Sequence, residues 1–277
     1  APMKQLFFLT LMLSVWTGAL HGQATLRIRG SDTIGSKLMT SLAEAYKRQN
    51  SKISFDIGAE GSSTGFGSLA SGAAEIAMSS RKVKPDERAL CRSKRVKLHE
   101  IEFAWDMICV VVNRDNPVTA MTKKQLMRIF CGDVRDWSEV DGPAGTISVY
   151  TRNSSSGTYR DFSWMAMKDR HYGSHTQKMA GNEQIATEVG ANRLGIGYVG
   201  HAFSGARGIK VVSVDGSWPD PAKVKDYPLS RPTYLYTNGE PQGAVREFID
   251  FCFSAKGREI IAKGGFIPLS LEGASGE

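Results

Sequence analysis

Three times along this chain a strand-like run gives way to a loop of Gly, Ser and Thr, and then to a helix-like run. The first loop is Gly30-Ser31-Asp32-Thr33-Ile34 and the second Gly61-Ser62-Ser63-Thr64-Gly65; the third, residues 151–160, reads TRNSSSGTYR. A strand that feeds a helix through so short a link dictates an α/β layer fold, with ligands at the carboxyl ends of the strands. The first amides of each helix have no intrahelical acceptor and carry the positive end of its dipole. Small residues let an anion approach those amides, and Arg152 adds a bidentate donor. Three such loops facing one point would cage a small oxyanion.

The rest of the chain supplies the scaffold. Leu26 and Ile28 alternate with Arg27 and Arg29, a half-buried first strand that stops at Gly30. Ser31, Asp32 and Thr33 are natural caps for a helix whose apolar face is Leu38, Leu42 and Tyr46. Ile53, Phe55 and Ile57 alternate as a second strand, and residues 76–78 return as a third. Residues 82–97 read as a solvated helix and loop, and residues 106–113 as a strand buried on both faces. Thr122 caps a helix that Gly132 ends, and Asn182 caps another. Residues 195–199 and 209–214 read as strands. Pro232 confines the strand at 233–236 to a sheet edge or a strand start, and one closing helix is predicted over 242–263.

Residues 3–24 have the pattern of a secretory signal: Lys4, an apolar run from 6 to 20, and a small-residue site at Gly22-Gln23-Ala24. The apolar run is too short and too interrupted for a membrane span, and no cysteine precedes Cys91 to carry a lipid. The expectation is a soluble exported chain beginning near Thr25. The net charge of +7 is spread along the sequence, which argues against a nucleic-acid stripe. Cys91, Cys109, Cys131 and Cys252 lack metal-ligand spacing; they form up to two bridges in an oxidising compartment, or remain buried thiols. No cofactor or metal site is read.

Two other chemistries compete with the oxyanion cage. GSSTG at 61–65 fits a G-x-S-x-G nucleophile elbow, with Ser63 as nucleophile and His171, His175 or His201 as base. Its position early in the chain, without an HGGG-like loop, makes a serine hydrolase the weaker reading. The first loop lacks the Gly-Lys-Ser/Thr of a nucleotide-hydrolysing phosphate loop. Arg81 either pairs with a carboxylate or reaches the ligand.

The segments GSDTIGSKLMTSLAEAY (30–46), AEGSSTGFGSLASGAAEIAMSSR (59–81), LMRIFCGDVRDWSEV (126–140), RNSSSGTYRDF (152–162), LGIGYVGHAF (194–203) and YPLSRPTYLYT (227–237) resemble, in order, the PstS-like phosphate-binding proteins of bacterial ABC import systems. The resemblance implies a two-lobed class II periplasmic-binding-protein fold: α/β, with mixed, mostly parallel sheets and a hinge. Lobe I would comprise residues 25–105 and 234–277, and lobe II residues 106–233. It implies a monomeric, non-enzymatic, periplasmic protein that binds inorganic phosphate, or a similar oxyanion such as sulfate. Delivery to the separate membrane permease of an ABC importer is implied too, with phosphate sensing as the alternative.

By position, the resemblance assigns the ligand to Thr33, Ile34, Ser62, Ser80, Arg152, Ser156, Gly157 and Thr158. The best-known members carry an aspartate where this chain has Ser80. A carboxylate there accepts from protonated phosphate and repels an unprotonated anion, so discrimination against sulfate is in question. Asp32 is a possible substitute acceptor, alternatively a plain helix cap, and Glu60 a weaker candidate.

Overall fold

A computed structural model describes residues 24–269, so the signal read at residues 3–24 lies, except for its last residue, outside the described residues. The first lobe opens with β1 (Ala24–Gly30), which runs into α1 (Asp32–Ile34), a π-helical stretch (Gly35–Met39) and α2 (Thr40–Gln49). Leu38, Leu42 and Tyr46 are buried, as their spacing requires. Gly30 turns the strand into the helix at φ 135°, and a Cβ there would lie 2.1 Å from the Met78 carbonyl oxygen. No other residue fits that approach. β2 (Ile53–Gly58), α3 (Ser62–Ala70), β3 (Ile76–Ser79) and α4 (Pro85–Ser93) follow. β1 lies between β2 and β3 and is parallel to both, with Ile28 opposite Ile57 and Ile76.

β4 (Leu98–Asn113) is twice the length of the apolar run read from the sequence and enters both lobes. Ile101, Phe103 and Ala104 join the first core beside Leu38, Met78 and Phe248. Met107, Ile108, Val110 and Val112 join a second core around Phe130, Trp137, Phe162 and Tyr198. The second lobe continues with β5 (Ala120–Met121), α5 (Lys123–Cys131), β6 (Ser148–Arg152), α6 (Gly157–Met167), β7 (Gln177–Met179), α7 (Asn182–Ala191), β8 (Gly195–Gly200), β9 (Ile209–Val211) and β10 (Ser213–Val214). Thr122 accepts a bond from the Gln125 amide, and Gly132 is left-handed at φ 87°, so both ends of α5 fall where the sequence put them. The chain returns through β11 (Ser230–Asn238), α8 (Gly243–Phe253), α9 (Ala255–Lys263) and β12 (Ile267–Pro268). The strand order is β2-β1-β3-β11-β4-β8-β6-β7, with β9 and β12 also paired to β4.

Two local expectations need correction. β11 is a central strand, antiparallel to both β3 and β4. Pro232 is tolerated because β3 pairs only with residues 234–236, so Pro232 has just Trp105 of β4 opposite it. The closing helix is two helices: Ser254 is extended (φ −64°, ψ 166°) and its hydroxyl caps α9 by accepting from the Gly257 amide at 3.1 Å. All four cysteines are free thiols; burial raises those of Cys109 and Cys252 far above the ordinary range.

Candidate functional site

The three loops meet. Thr33 Oγ1 at the start of α1 lies 3.0 Å from Thr158 Oγ1 at the start of α6. A Cβ placed on Gly157 would lie 2.4 Å from Ser62 Oγ and 2.5 Å from Ser80 Oγ, so α6 abuts both first-lobe loops. The Ser63 amide donates to the Ser155 carbonyl (3.1 Å) and the Ser155 hydroxyl to the Glu60 carbonyl (3.0 Å), closing one rim. Thr33, Ile34, Ser62, Ser80, Arg152, Ser156 and Thr158 are each at most 2% exposed, and Gly157 is buried.

Local sequence explains why amides are free to face inward. Gly35 is the first residue after β1 whose amide bonds back into the helix, to the Ser31 carbonyl at 2.8 Å. The amides of Asp32, Thr33 and Ile34 therefore precede the helical ladder. In the third loop the Ser156 hydroxyl caps the Tyr159 amide at 3.3 Å, which leaves those of Gly157 and Thr158 ahead of the ladder. In the second loop the Ser62 hydroxyl accepts from the Ser80 amide at 3.1 Å, holding the two serines side by side.

Arg152 is the cationic member, 1% exposed at the end of β6. Its Nη1 donates to Asp32 Oδ2 at 3.1 Å, while Nε and Nη2 are buried without a hydrogen-bond partner. Those two nitrogens form one edge of the planar group, and such an edge can donate two parallel bonds to an oxyanion. Burial pushes the guanidinium below its ordinary range; Asp32 opposes that shift. The Arg152 amide donates to the Tyr198 hydroxyl at 3.3 Å, which also touches Thr151 and Tyr172 and anchors the loop to the core.

Supporting residues that the sequence reading missed complete the cleft. Arg231 donates to Asp106 Oδ2 from Nε (3.2 Å) and Nη2 (2.9 Å), to Asp161 from Nη1 (3.3 Å), and to Thr158 Oγ1 from Nη2 (2.8 Å). Burial raises the Asp161 carboxyl, and Arg231 works against that rise. Asn182, read only as a helix cap, makes no cap bond. It donates to Asp32 Oδ2 from its amide (2.9 Å) and its side chain (2.6 Å), and to Thr33 Oγ1 (3.2 Å).

Arg81 pairs with Glu87 through Nη1 (2.8 Å) and Nη2 (2.6 Å), Nη2 also donates to Ser63 at 2.9 Å, and its Nε is buried without a hydrogen-bond partner. Ser63 in turn donates to Glu87, whereas His175 contacts the Ile129 carbonyl and His201 the Gly265 carbonyl. The serine of the supposed elbow thus bonds to a carboxylate and a guanidinium, neither of them a histidine base. Glu60 is exposed. Among the described residues there is no cluster of three or more metal-ligating side chains, and no helix is long and apolar enough to cross a membrane.

A family model described as the PBP superfamily domain matches residues 17–256. The phosphate-binding protein PstS of Staphylococcus saprophyticus is 30% identical over 263 residues, covering 90% of this chain and 81% of the relative. The PstS of Pseudomonas aeruginosa is 30% identical over 268 residues, 87% of this chain and 81% of its own. A putative phosphate ABC transporter substrate-binding protein from Clostridium perfringens, solved with bound phosphate, superposes with a TM-score of 0.82 at 31% identity, covering 89% of this chain and all of that one. With that reach of similarity, and a two-lobed frame closed on three helix starts and a half-satisfied arginine, the chain belongs to the PBP superfamily and, within it, to the PstS phosphate-binding proteins.

Proposed function

We propose that this protein captures inorganic phosphate between its lobes and hands it to the membrane permease of an ABC importer. The observation that carries the reading is the free Nε/Nη2 edge of Arg152, buried in a cleft onto which three helix starts converge. Buried unpaired N–H groups are costly, and a tetrahedral oxyanion satisfies them. Its remaining oxygens would meet the amides of Thr33, Ile34, Gly157 and Thr158 and the hydroxyls of Ser62, Ser80 and Thr158.

The act is binding without bond cleavage. Lobe closure excludes water, which strengthens every charge-assisted bond in the cleft. β4 and β11 are the two crossings that would flex, with the lobe boundary near residues 105/106 and 233/234. The protein would work as an exported monomer that carries one anion per cycle. Isothermal titration with phosphate, repeated in excess sulfate, tests the reading. Saturable one-to-one uptake of phosphate supports it, and silence toward phosphate sinks it.

A further inference from the structure

Asp32 stands on the first lobe, directly after β1, yet the three donors to its Oδ2 all come from the second: the Asn182 amide, Asn182 Nδ2 and Arg152 Nη1. Asn182 is fully buried, and its own Oδ1 accepts from the Gly200 amide at 2.9 Å, which fixes Nδ2 toward Asp32. A carboxylate oxygen has room for about two strong donors. Oδ2 is saturated by protein donors, so the carboxylate oxygen beside Arg152 is committed to the protein. The bond to Nη1 also turns the guanidinium so that Nε and Nη2 are left for the anion. Opening the lobes separates Asp32 from Arg152 and Asn182 together.

Resting on the phosphate-capture reading, we infer that Asp32 is a cross-lobe latch that positions Arg152, and not the acceptor of a phosphate proton. It couples closure to the aim of the guanidinium, so the anion grip is complete only when the lobes are shut. Because the latch does not face the ligand's proton, it strengthens phosphate and sulfate binding by the same factor.

The test is a double-mutant cycle of Asp32→Asn and Arg152→Ala, with equilibrium and stopped-flow binding of phosphate and of sulfate, and circular dichroism to establish folding. Asp32→Asn weakens both anions equally, by on the order of 10- to 100-fold, chiefly through faster dissociation. The same change costs much less in the Arg152→Ala background, because the two residues act through one contact. Asn182→Ala reproduces the faster dissociation without touching a charge. A phosphate-to-sulfate preference that collapses in Asp32→Asn would reinstate the acceptor role and overturn the latch, as would strictly additive losses. The capture reading fails separately, at the wild-type phosphate titration; a wild type that takes up neither anion overturns both.

Discussion

Replacing Arg152 with alanine removes, among the described residues, the only buried guanidinium edge whose Nε and Nη nitrogens both lack a protein partner. Hydrogen bonds to a charged group contribute about 1.5–3 kcal/mol each, so losing two costs about 3–6 kcal/mol of binding, or roughly 100- to 20,000-fold in Kd. The ligand-free protein should suffer far less. The wild type already carries the desolvation cost of a cation that is 1% exposed and only partly bonded, and the Asp32 carboxylate that the variant unpairs is more exposed and keeps both Asn182 donors. The two effects separate in a thermal-shift assay. Phosphate at a thousand times its Kd stabilises the wild type by about 4.1 kcal/mol, and each kcal/mol raises Tm by about 2–4 °C in a domain of this size. The wild type should therefore gain about 8–16 °C at that concentration. Arg152→Ala should start from a similar ligand-free Tm and gain almost nothing. A variant that keeps its affinity within about threefold would show that the buried edge does not face the anion.

Other substitutions probe the neighbouring walls. Gly157→Ala places a methyl group 2.4–2.5 Å from the Ser62 and Ser80 hydroxyl oxygens, so it should prop the lobes apart and weaken phosphate by at least about tenfold in titration, with the fold intact by circular dichroism. Ser80→Asp puts an acceptor in the cradle; competition titration should show sulfate losing more affinity than phosphate, by about tenfold or more, and equal losses would deny Ser80 a place against the ligand. Burial tends to raise the Glu87 carboxyl, but bonds from Arg81, the Lys84 amide and Ser63 hold it below its ordinary value of 4.5. A carboxyl depressed in the folded state contributes stability above that value and loses it as pH falls through the folded pKa. Denaturant melts of Glu87→Gln should be less stable near neutrality and show a shallower loss on acidification; an unchanged slope would remove Glu87 from the acid response.

The parts of the cleft legible in the sequence are those encoded locally. A strand, a Gly/Ser/Thr loop and a helix start are consecutive in the chain, so the three loops are legible from their neighbours alone, whereas Thr33, Ser62, Ser156, Gly157 and Thr158 are singled out within them only by the family resemblance. Arg231, Asp106 and Asp161 were not legible, because their pairing joins residues 125 and 70 positions apart. Asp106 sits in an apolar run where no local pattern marks it as an ion-pair partner, and Arg231 is hidden behind the stronger signal of Pro232. Asn182 displayed a helix-cap signature, and only the other lobe shows that its side chain is spent on Asp32. The break at Ser254 was masked by apolar spacing that continues from Cys252 to Ile260 and Ile261, a pattern two helices share with one. β11 was misplaced because proline reports its own missing donor and says nothing about how far its neighbours extend.

The ion pairs around the cleft limit how the anion's charge can be met. Arg152 is matched by Asp32, Arg81 by Glu87, and Arg231 by both Asp106 and Asp161. No guanidinium in that set is left over as a counter-ion. Removing a paired carboxylate would leave a buried cation exposed to its full desolvation cost, so the pairs hold the arginines in place. What remains for the ligand is direction: an N–H edge on Arg152, amides at helix starts, and hydroxyls that either donate or accept. Under the proposed phosphate reading, hydroxyls at Ser62, Ser80 and Thr158 would adapt to whichever oxygen of phosphate carries its proton, where a carboxylate at Ser80 would demand that proton. On that reading the cleft would recognise the tetrahedral shape and desolvated oxygens of an anion more stringently than its protonation state.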